Sequence, residues 1–226
     1  MYFMLFRNDS NVSLKLPVNG RIVDQCTTFK YLGLHIDCDL SWRTHVQKLI
    51  CKVQKMLYVL HRSSGKSNKA KLSMLFRAYI YPHFLYGIQL YMFCSMSLRA
   101  KLEVLFRRCC RLALCDNGPL PLISNQSVYS LLGVMPLRHL FQYTSAIMLY
   151  KILVLKQVPA LYPKFAQISG TSRNSRLFLE NVIVLRPPFV TLEMCKANFS
   201  YWGSTLWNSI PGLIRRFLEA RKNDLE

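Results

Sequence analysis

Apolar positions in the middle of the chain repeat with the period of an α-helix. From residue 42 onward they fall mostly three or four residues apart, at Trp42, Val46, Leu49, Ile50, Val53, Met56, Leu57 and Leu60. One apolar stripe at this spacing predicts an amphipathic helix that ends at residues 63–65. The same pattern predicts a second helix over residues 68–81, which Pro82 kinks or stops, and a third helix capped by Ser97.

Shorter patterns near the N-terminus are typical of strands. Residues 12–17 and 21–25 flank Val18-Asn19-Gly20, and an Asn-Gly pair supplies the positive φ angles of a tight hairpin turn. Residues 29–37 alternate, with Leu32, Leu34 and Ile36 on one face. We therefore predict a small antiparallel sheet in which residues 29–37 form a strand.

Turn-forming residues divide the remainder of the chain. A break at residues 117–121 precedes a short helix over residues 127–132, which Gly133 stops. Pro136 suits the first turn of a long helix to about Lys156, and residues 158–195 are predicted to be loops with a candidate strand over 182–185. A last helix begins at Tyr201.

These elements predict a mainly α protein with a small N-terminal antiparallel β-hairpin region and a helical bundle. Three regions follow from the composition. Residues 1–40 form the β-hairpin region, residues 41–116 a basic helical region, and residues 117–226 a C-terminal helical region with loops.

Charge is concentrated in the middle of the chain. The whole sequence has 30 Lys and Arg against 11 Asp and Glu, a formal net charge of +19. Residues 40–115 carry 14 of these basic side chains and one acidic side chain. A field of one sign concentrates polyanions, so nucleic acid or an anionic membrane surface is the expected partner. The alternative is a generically basic surface.

Basic side chains also recur on single helix faces. Lys48, Lys52 and Lys55 lie at i, i+4 and i+7, with Arg62 one heptad further, and no Glu is interspersed among them. We interpret these residues, and the basic residues that extend or repeat the pattern, as contacts to nucleic-acid phosphates rather than as a solvated face. The additional residues are Lys66, Lys69, Lys71, Lys101, Arg107, Arg108 and Arg111.

Catalytic and metal-binding motifs are scarce in this sequence. The eight cysteines lack the two-residue spacing of zinc knuckles and redox pairs, and no secretory signal begins the chain. We therefore expect reduced thiols in a chain that is not secreted, with cytoplasm and nucleus both open. Asp37 and Asp39 are interpreted as strand-end and helix-cap acids, the alternative being a shared divalent cation. We identify no catalytic residue and no metal ligand.

One segment has an alternative interpretation. Residues 78–98 carry no formal charge over a length that could span a bilayer, which leaves a membrane-anchored basic protein as an alternative function. Pro82, His83 and Gln89 lie within this segment, and polar groups of this kind are costly in a bilayer core. A membrane is therefore an unlikely partner. A protein-interaction remnant with no nucleic-acid role is the other alternative.

Four ordered motifs resemble the region that follows the palm in jockey-like, non-LTR retrotransposon reverse transcriptases. They are residues 29–46 (FKYLGLHIDCDLSWRTHV), 79–87 (YIYPHFLYG), 131–137 (LLGVMPL) and 206–211 (LWNSIP). The resemblance implies that Tyr31, Leu32 and Gly33 correspond to the primer grip, which supports the primer 3′ end. It also implies that the helix from Trp42 corresponds to the thumb, so that the helical bundle is thumb-like.

The same resemblance implies limits on activity. The family's palm aspartates, which bind Mg²⁺, lie upstream of the position that matches Met1, and its endonuclease is absent as well. We therefore expect a fragment of an RNA-directed DNA polymerase that has no cofactor of its own and is inactive alone. Its expected partners are an RNA or DNA primer–template, held nonspecifically through phosphates, and the missing palm domain.

Overall fold

The computed structural model describes residues 2–6, 15–18, 20–64, 69–114, 124–167, 183–190 and 198–215. The chain is mainly helical, with two small antiparallel hairpins near the N-terminus, so the predicted fold class is confirmed. It divides into two compact units, residues 1–140 and 141–226. The three regions proposed from composition remain a prediction.

The N-terminal strands form two separate small sheets. Their bounds are β1 Tyr2–Phe3, β2 Leu16–Val18, β3 Arg21–Gln25, β4 Thr28–Tyr31 and β5 Leu34–Asp37. β2 and β3 form the predicted hairpin, with Gly20 at a φ of +76° in its turn, and β1 adds a parallel edge to β3. The prediction of one strand over residues 29–37 is wrong, because a turn at Leu32 and Gly33 folds β4 back onto β5.

The first unit also contains the basic helices. Its helices are α1 Arg43–Ser64, α2 Lys69–Leu75, a π-helix Phe76–Ile80, α3 Tyr81–Leu85, α4 Ile88–Tyr91, α5 Met96–Ala113 and α6 Asn125–Leu132, and α7 Leu137–Leu153 begins there. The predicted stripe of α1 is buried at Val46, Leu49, Val53 and Leu60. Helix α1 packs mainly on α5. Ser95, and not Ser97, is the residue that precedes α5.

Pro82 divides the segment that was considered as a membrane span. Pro82 lacks a backbone N–H, and in the π-helix just before it the Tyr81 N–H reaches back five residues to the Phe76 carbonyl. Gly87, at a φ of +71°, then separates α3 from α4. Residues 78–98 are therefore several short helices. Among the described residues no helix has the length and apolar character needed to cross a bilayer.

The second unit is built around Trp207. It contains most of α7, a 3₁₀ turn Tyr162–Lys164, β6 Ala166–Gln167, β7 Leu185–Arg186 and α8 Phe199–Ser209. The Trp207 indole N–H donates to the Ile183 carbonyl at 3.0 Å. The Asn208 side chain donates to the Leu185 carbonyl at 2.7 Å and accepts from the Leu185 N–H at 3.1 Å. The Trp-Asn pair of the fourth motif therefore holds the backbone at Ile183 and at Leu185 of β7.

The cysteines in the described ranges carry free thiols, at positions 26, 38, 51, 94, 109 and 110. Cys115 and Cys195 lie outside the described residues. Burial raises the pKa of Cys94 to about 11 and that of Cys109 to about 12, because a thiolate is poorly solvated in the apolar core. These two thiols therefore act as core side chains.

Candidate nucleic-acid interface

The turn between β4 and β5 joins two of the sequence motifs. Leu32 and Gly33 both have positive φ angles, +46° and +85°, as in the type I′ turns that suit a two-residue hairpin. The Tyr86 hydroxyl donates to the Leu32 carbonyl. A Cβ atom on Gly33 would lie 3.5 Å from the Tyr86 ring. The turn at Leu32 and Gly33, two of the residues predicted to be primer-grip-like, therefore packs directly on the end of α3.

Gly87 also contacts the β4–β5 hairpin, through Leu34 of β5. A Cβ atom at Gly87 would lie 2.7 Å from Cδ2 of Leu34, closer than two carbon atoms can approach. Glycine is therefore favoured there by its φ of +71°, and any larger residue would also displace the Leu34 side chain. The Tyr-Gly pair of the second motif and the Leu-Gly pair of the first form a single local structure.

An open pocket of about 540 Å³ lies beside the contact between Gly33 and Tyr86. Strand and turn residues line one side, α1 lines another, and α3 with the following residue closes the third. The lining residues are Lys30, Gly33, His35, His45, Lys48, Leu49, Lys52, Pro82, His83 and Tyr86. The described lining thus holds three lysines and three histidines and no carboxylate side chain. Such a pocket attracts anions.

Hydrogen bonds fix two of the pocket histidines, His35 on β5 and His45 on α1. Lys30 and His35 face each other across the β4–β5 ladder. Lys48 Nζ lies 3.2 Å from His35 Nδ1, and a lysine ammonium can only donate, so Nδ1 of His35 accepts. The His35 backbone N–H in turn donates to Nδ1 of His45 at 3.4 Å. Neutral His45 therefore carries its proton on Nε2, which is buried without a hydrogen-bond partner.

The pKa values of all three pocket histidines are lowered. Burial is the main cause for His35, and the positive charges of Lys48 and Lys30 add to it. Burial followed by the charge of Lys52 lowers the pKa of His83, and burial followed by His35 lowers that of His45. An ordinary histidine has a pKa near 6.5, so these side chains are neutral at pH 7. The pocket then carries its charge on the lysines.

Asp37 and Asp39 serve the start of α1. Asp37 Oδ2 accepts from the Thr44 N–H at 3.1 Å and from the Ser41 hydroxyl at 3.3 Å, and Asp39 Oδ1 accepts from the Ser41 N–H at 3.0 Å. These bonds support the cap interpretation over a shared cation. Asp37 Oδ1 is buried without a partner, but one free carboxylate oxygen does not fit Mg²⁺. The described residues contain no cluster of three metal-binding side chains.

The structure brings together some of the predicted phosphate contacts and separates others. Lys48 and Lys52 line the pocket together with Gly33. Lys101 and Arg108 line a second groove, of about 340 Å³, between α5 and α1. Among the other predicted contact residues, the side chains of Arg107 and Arg111 are half-buried. Six more are exposed: Tyr31, Leu32, Lys55, Arg62, Lys69 and Lys71. Arg111 donates to Asn125 Oδ1 at 2.7 Å, and Lys66 lies outside the described residues.

Sequence reasoning missed part of this pocket. Lys30, His35, His83 and Tyr86 were not identified as site residues. Recognising the turn at Leu32-Gly33 would have paired Lys30 with His35. No local pattern places His83 near them, because its position depends on the packing of α3 against the hairpin.

Comparison with known proteins gives one informative similarity. No protein-family model matches the chain, and no solved structure matches it significantly. The chain is 28% identical over 106 residues to a probable RNA-directed DNA polymerase from transposon BS of Drosophila melanogaster. The match covers 45% of this chain and 12% of that protein. This similarity supports a relation to reverse transcriptases.

Proposed function

We propose that this chain is the post-palm part of a non-LTR, jockey-like reverse transcriptase and that it binds nucleic acid through backbone phosphates. The supporting observation is the basic pocket, which combines the primer-grip-like turn with the thumb-like helix α1. Lys48 and Lys52 occupy successive turns of α1 and both line the pocket. A helix rises about 1.5 Å per residue, so the two side chains can follow one strand of a duplex.

The proposed binding is electrostatic and does not depend on base sequence. Phosphate contacts position a nucleic acid, whereas specificity comes from contacts to base edges. The described pocket lining offers ammonium and imidazole groups next to one tyrosine, and these groups suit phosphate oxygens. The chain would hold a primer–template for a palm domain and would not extend a primer by itself.

A salt titration of duplex binding tests this proposal. Each neutralised phosphate contributes about 0.9 to the slope of log K against log salt, so Lys48→Gln/Lys52→Gln should reduce the slope by about 1.8. Both lysines are exposed on α1, and Gln has nearly the helix propensity of Lys, so the fold should survive. The affinity loss should be the same for duplexes of unrelated sequence.

Lysines of the second unit provide the matched control. Lys151 and Lys164 are exposed and lie outside the predicted contact set, so Lys151→Gln/Lys164→Gln removes the same charge elsewhere. This control should keep the wild-type slope. Equal slopes for all three proteins, with circular dichroism unchanged, would refute binding at the pocket and favour a protein-interaction role.

A further inference from the structure

We propose that the pocket is a phosphate site controlled by protons, in which His35 and His83 become protonated as a phosphate group enters. This inference rests on the proposed function and adds its regulation. The geometry that supports it is the contact between Lys48 and His35, together with His83, which α3 contributes to the lining of the same pocket.

The Lys48–His35 contact excludes a proton from His35. Nδ1 of His35 accepts from the Lys48 ammonium at 3.2 Å, so the imidazole must be neutral in this arrangement. A protonated His35 has no acceptor nitrogen and repels Lys48. Protonation therefore releases the lysine and turns both side chains into donors. A phosphate group, which offers several acceptor oxygens, can bind both donors at once.

The charges around the two histidines favour protonation only when an anion is present. The charged and titratable groups near the two histidines come from several elements. The strands contribute Lys30 on β4 and Asp37 on β5. Helix α1 contributes His45, Lys48 and Lys52, and the residue after α3 contributes the hydroxyl of Tyr86. The Asp37 carboxylate, which accepts hydrogen bonds at the start of α1, raises the pKa of His35 but by less than burial and the two nearby lysines lower it. Three ammonium groups in the lining thus oppose a further positive charge. Burial is the main cause of the lowered pKa values of His35 and His83, and the lysine charges add to it, from Lys48 and Lys30 at His35 and from Lys52 at His83. A phosphate reverses the sign of that local field.

The ligand is a phosphate group, which can come from the nucleic-acid backbone or from a free or terminal phosphate. A backbone diester does not titrate near neutral pH, whereas a monoester has a second pKa near 6. Duplexes with 5′-hydroxyl ends therefore assign any pH dependence of binding to the protein. Inorganic phosphate supplies the other source as a separate arm.

The first measurement is duplex affinity at constant ionic strength between pH 8 and pH 6. Each proton taken up on binding increases the affinity up to about tenfold per pH unit as the pH falls. His35→Gln/His83→Gln should remove most of this dependence. His139→Gln changes an exposed histidine of the same unit that does not line the pocket, and it should keep the wild-type dependence. His35→Lys should bind more tightly than wild type at pH 8, because its charge is permanent.

The second measurement is an NMR titration of the His35 and His83 ring protons in wild-type protein with inorganic phosphate and with the duplex. Either ligand should raise both pKa values if it occupies the pocket. Phosphate raising them while no duplex binds would keep the proton-controlled site and refute the proposed function. Duplex binding that is independent of pH, with both histidine pKa values unchanged, would overturn the inference and leave the proposed function intact. Failure of both ligands to shift either histidine would refute it as well.

Discussion

Gly87 should be the most sensitive of the described glycines of the first unit, which are Gly20, Gly33, Gly87 and Gly133. A left-handed conformation costs an L-residue about 1–2 kcal/mol, and Gly87 has a φ of +71°. The 2.7 Å approach of Leu34 Cδ2 adds overpacking, which typically costs about 1–3 kcal/mol. We therefore expect Gly87→Ala to lower the free energy of unfolding by about 2–5 kcal/mol.

The variant Gly20→Ala measures the conformational cost without the overpacking cost. Its φ of +76° is nearly the same, but no atom lies within 4 Å of the position its Cβ would take. Gly20→Ala should therefore cost only the conformational part, about 1–2 kcal/mol. Each kcal/mol lowers the Tm of a chain of this size by roughly 2–4 °C. Thermal unfolding followed by circular dichroism compares the two variants, which belong to the same unit.

A double-mutant cycle identifies the source of the difference. In a Leu34→Ala background the contact is gone, so Gly87→Ala should cost no more than Gly20→Ala does in wild type. The coupling energy between positions 34 and 87 should then be about 1–3 kcal/mol. Equal destabilisation by Gly87→Ala and Gly20→Ala in the wild-type background would refute the steric argument.

Two further predictions concern side chains of the cores. Asn208→Ala removes both hydrogen bonds to the Leu185 backbone and should destabilise the second unit by about 1–3 kcal/mol, with faster hydrogen exchange at the Leu185 amide; unchanged exchange there would contradict the role of Asn208. Alkylation of the native protein at pH 8 should modify exposed Cys51 well before Cys94 and Cys109, whose pKa values are raised to about 11 and about 12 by burial. Peptide mass spectrometry measures the order, and early labelling of Cys109 would show that the α5 core is open.

The features that sequence alone predicted are those with a local cause. The α1 stripe follows from helical periodicity, the end of α6 from Gly133 in the left-handed conformation, and the β2–β3 turn from its Asn-Gly pair. The turn at Leu32 and Gly33 was missed for the opposite reason. Leucine rarely adopts a positive φ, so an uninterrupted alternating strand was the better local interpretation.

The rest of the site depends on contacts between residues that are far apart in the sequence. The Tyr86 hydroxyl donates to the Leu32 carbonyl, and α3 contributes His83 to a pocket lining that also contains Lys48. The basic side chains were predicted because charge is visible in the sequence. Their grouping into one pocket and one groove was not predicted, because it depends on how α1 packs on α5 and on the hairpin.

The bond from Tyr86 to Leu32 also has a consequence for the order of folding. The two residues are 54 positions apart, so the loop between them must close before the bond can form. Helix α1 lies inside that loop and has its own local hydrogen bonds, so it can form first. The β4–β5 hairpin also has its own local ladder, so only the bond from Tyr86 must wait until α3 is in place. A nascent chain that has not yet emerged beyond residue 86 would therefore contain the complete turn without the hydrogen bond from Tyr86.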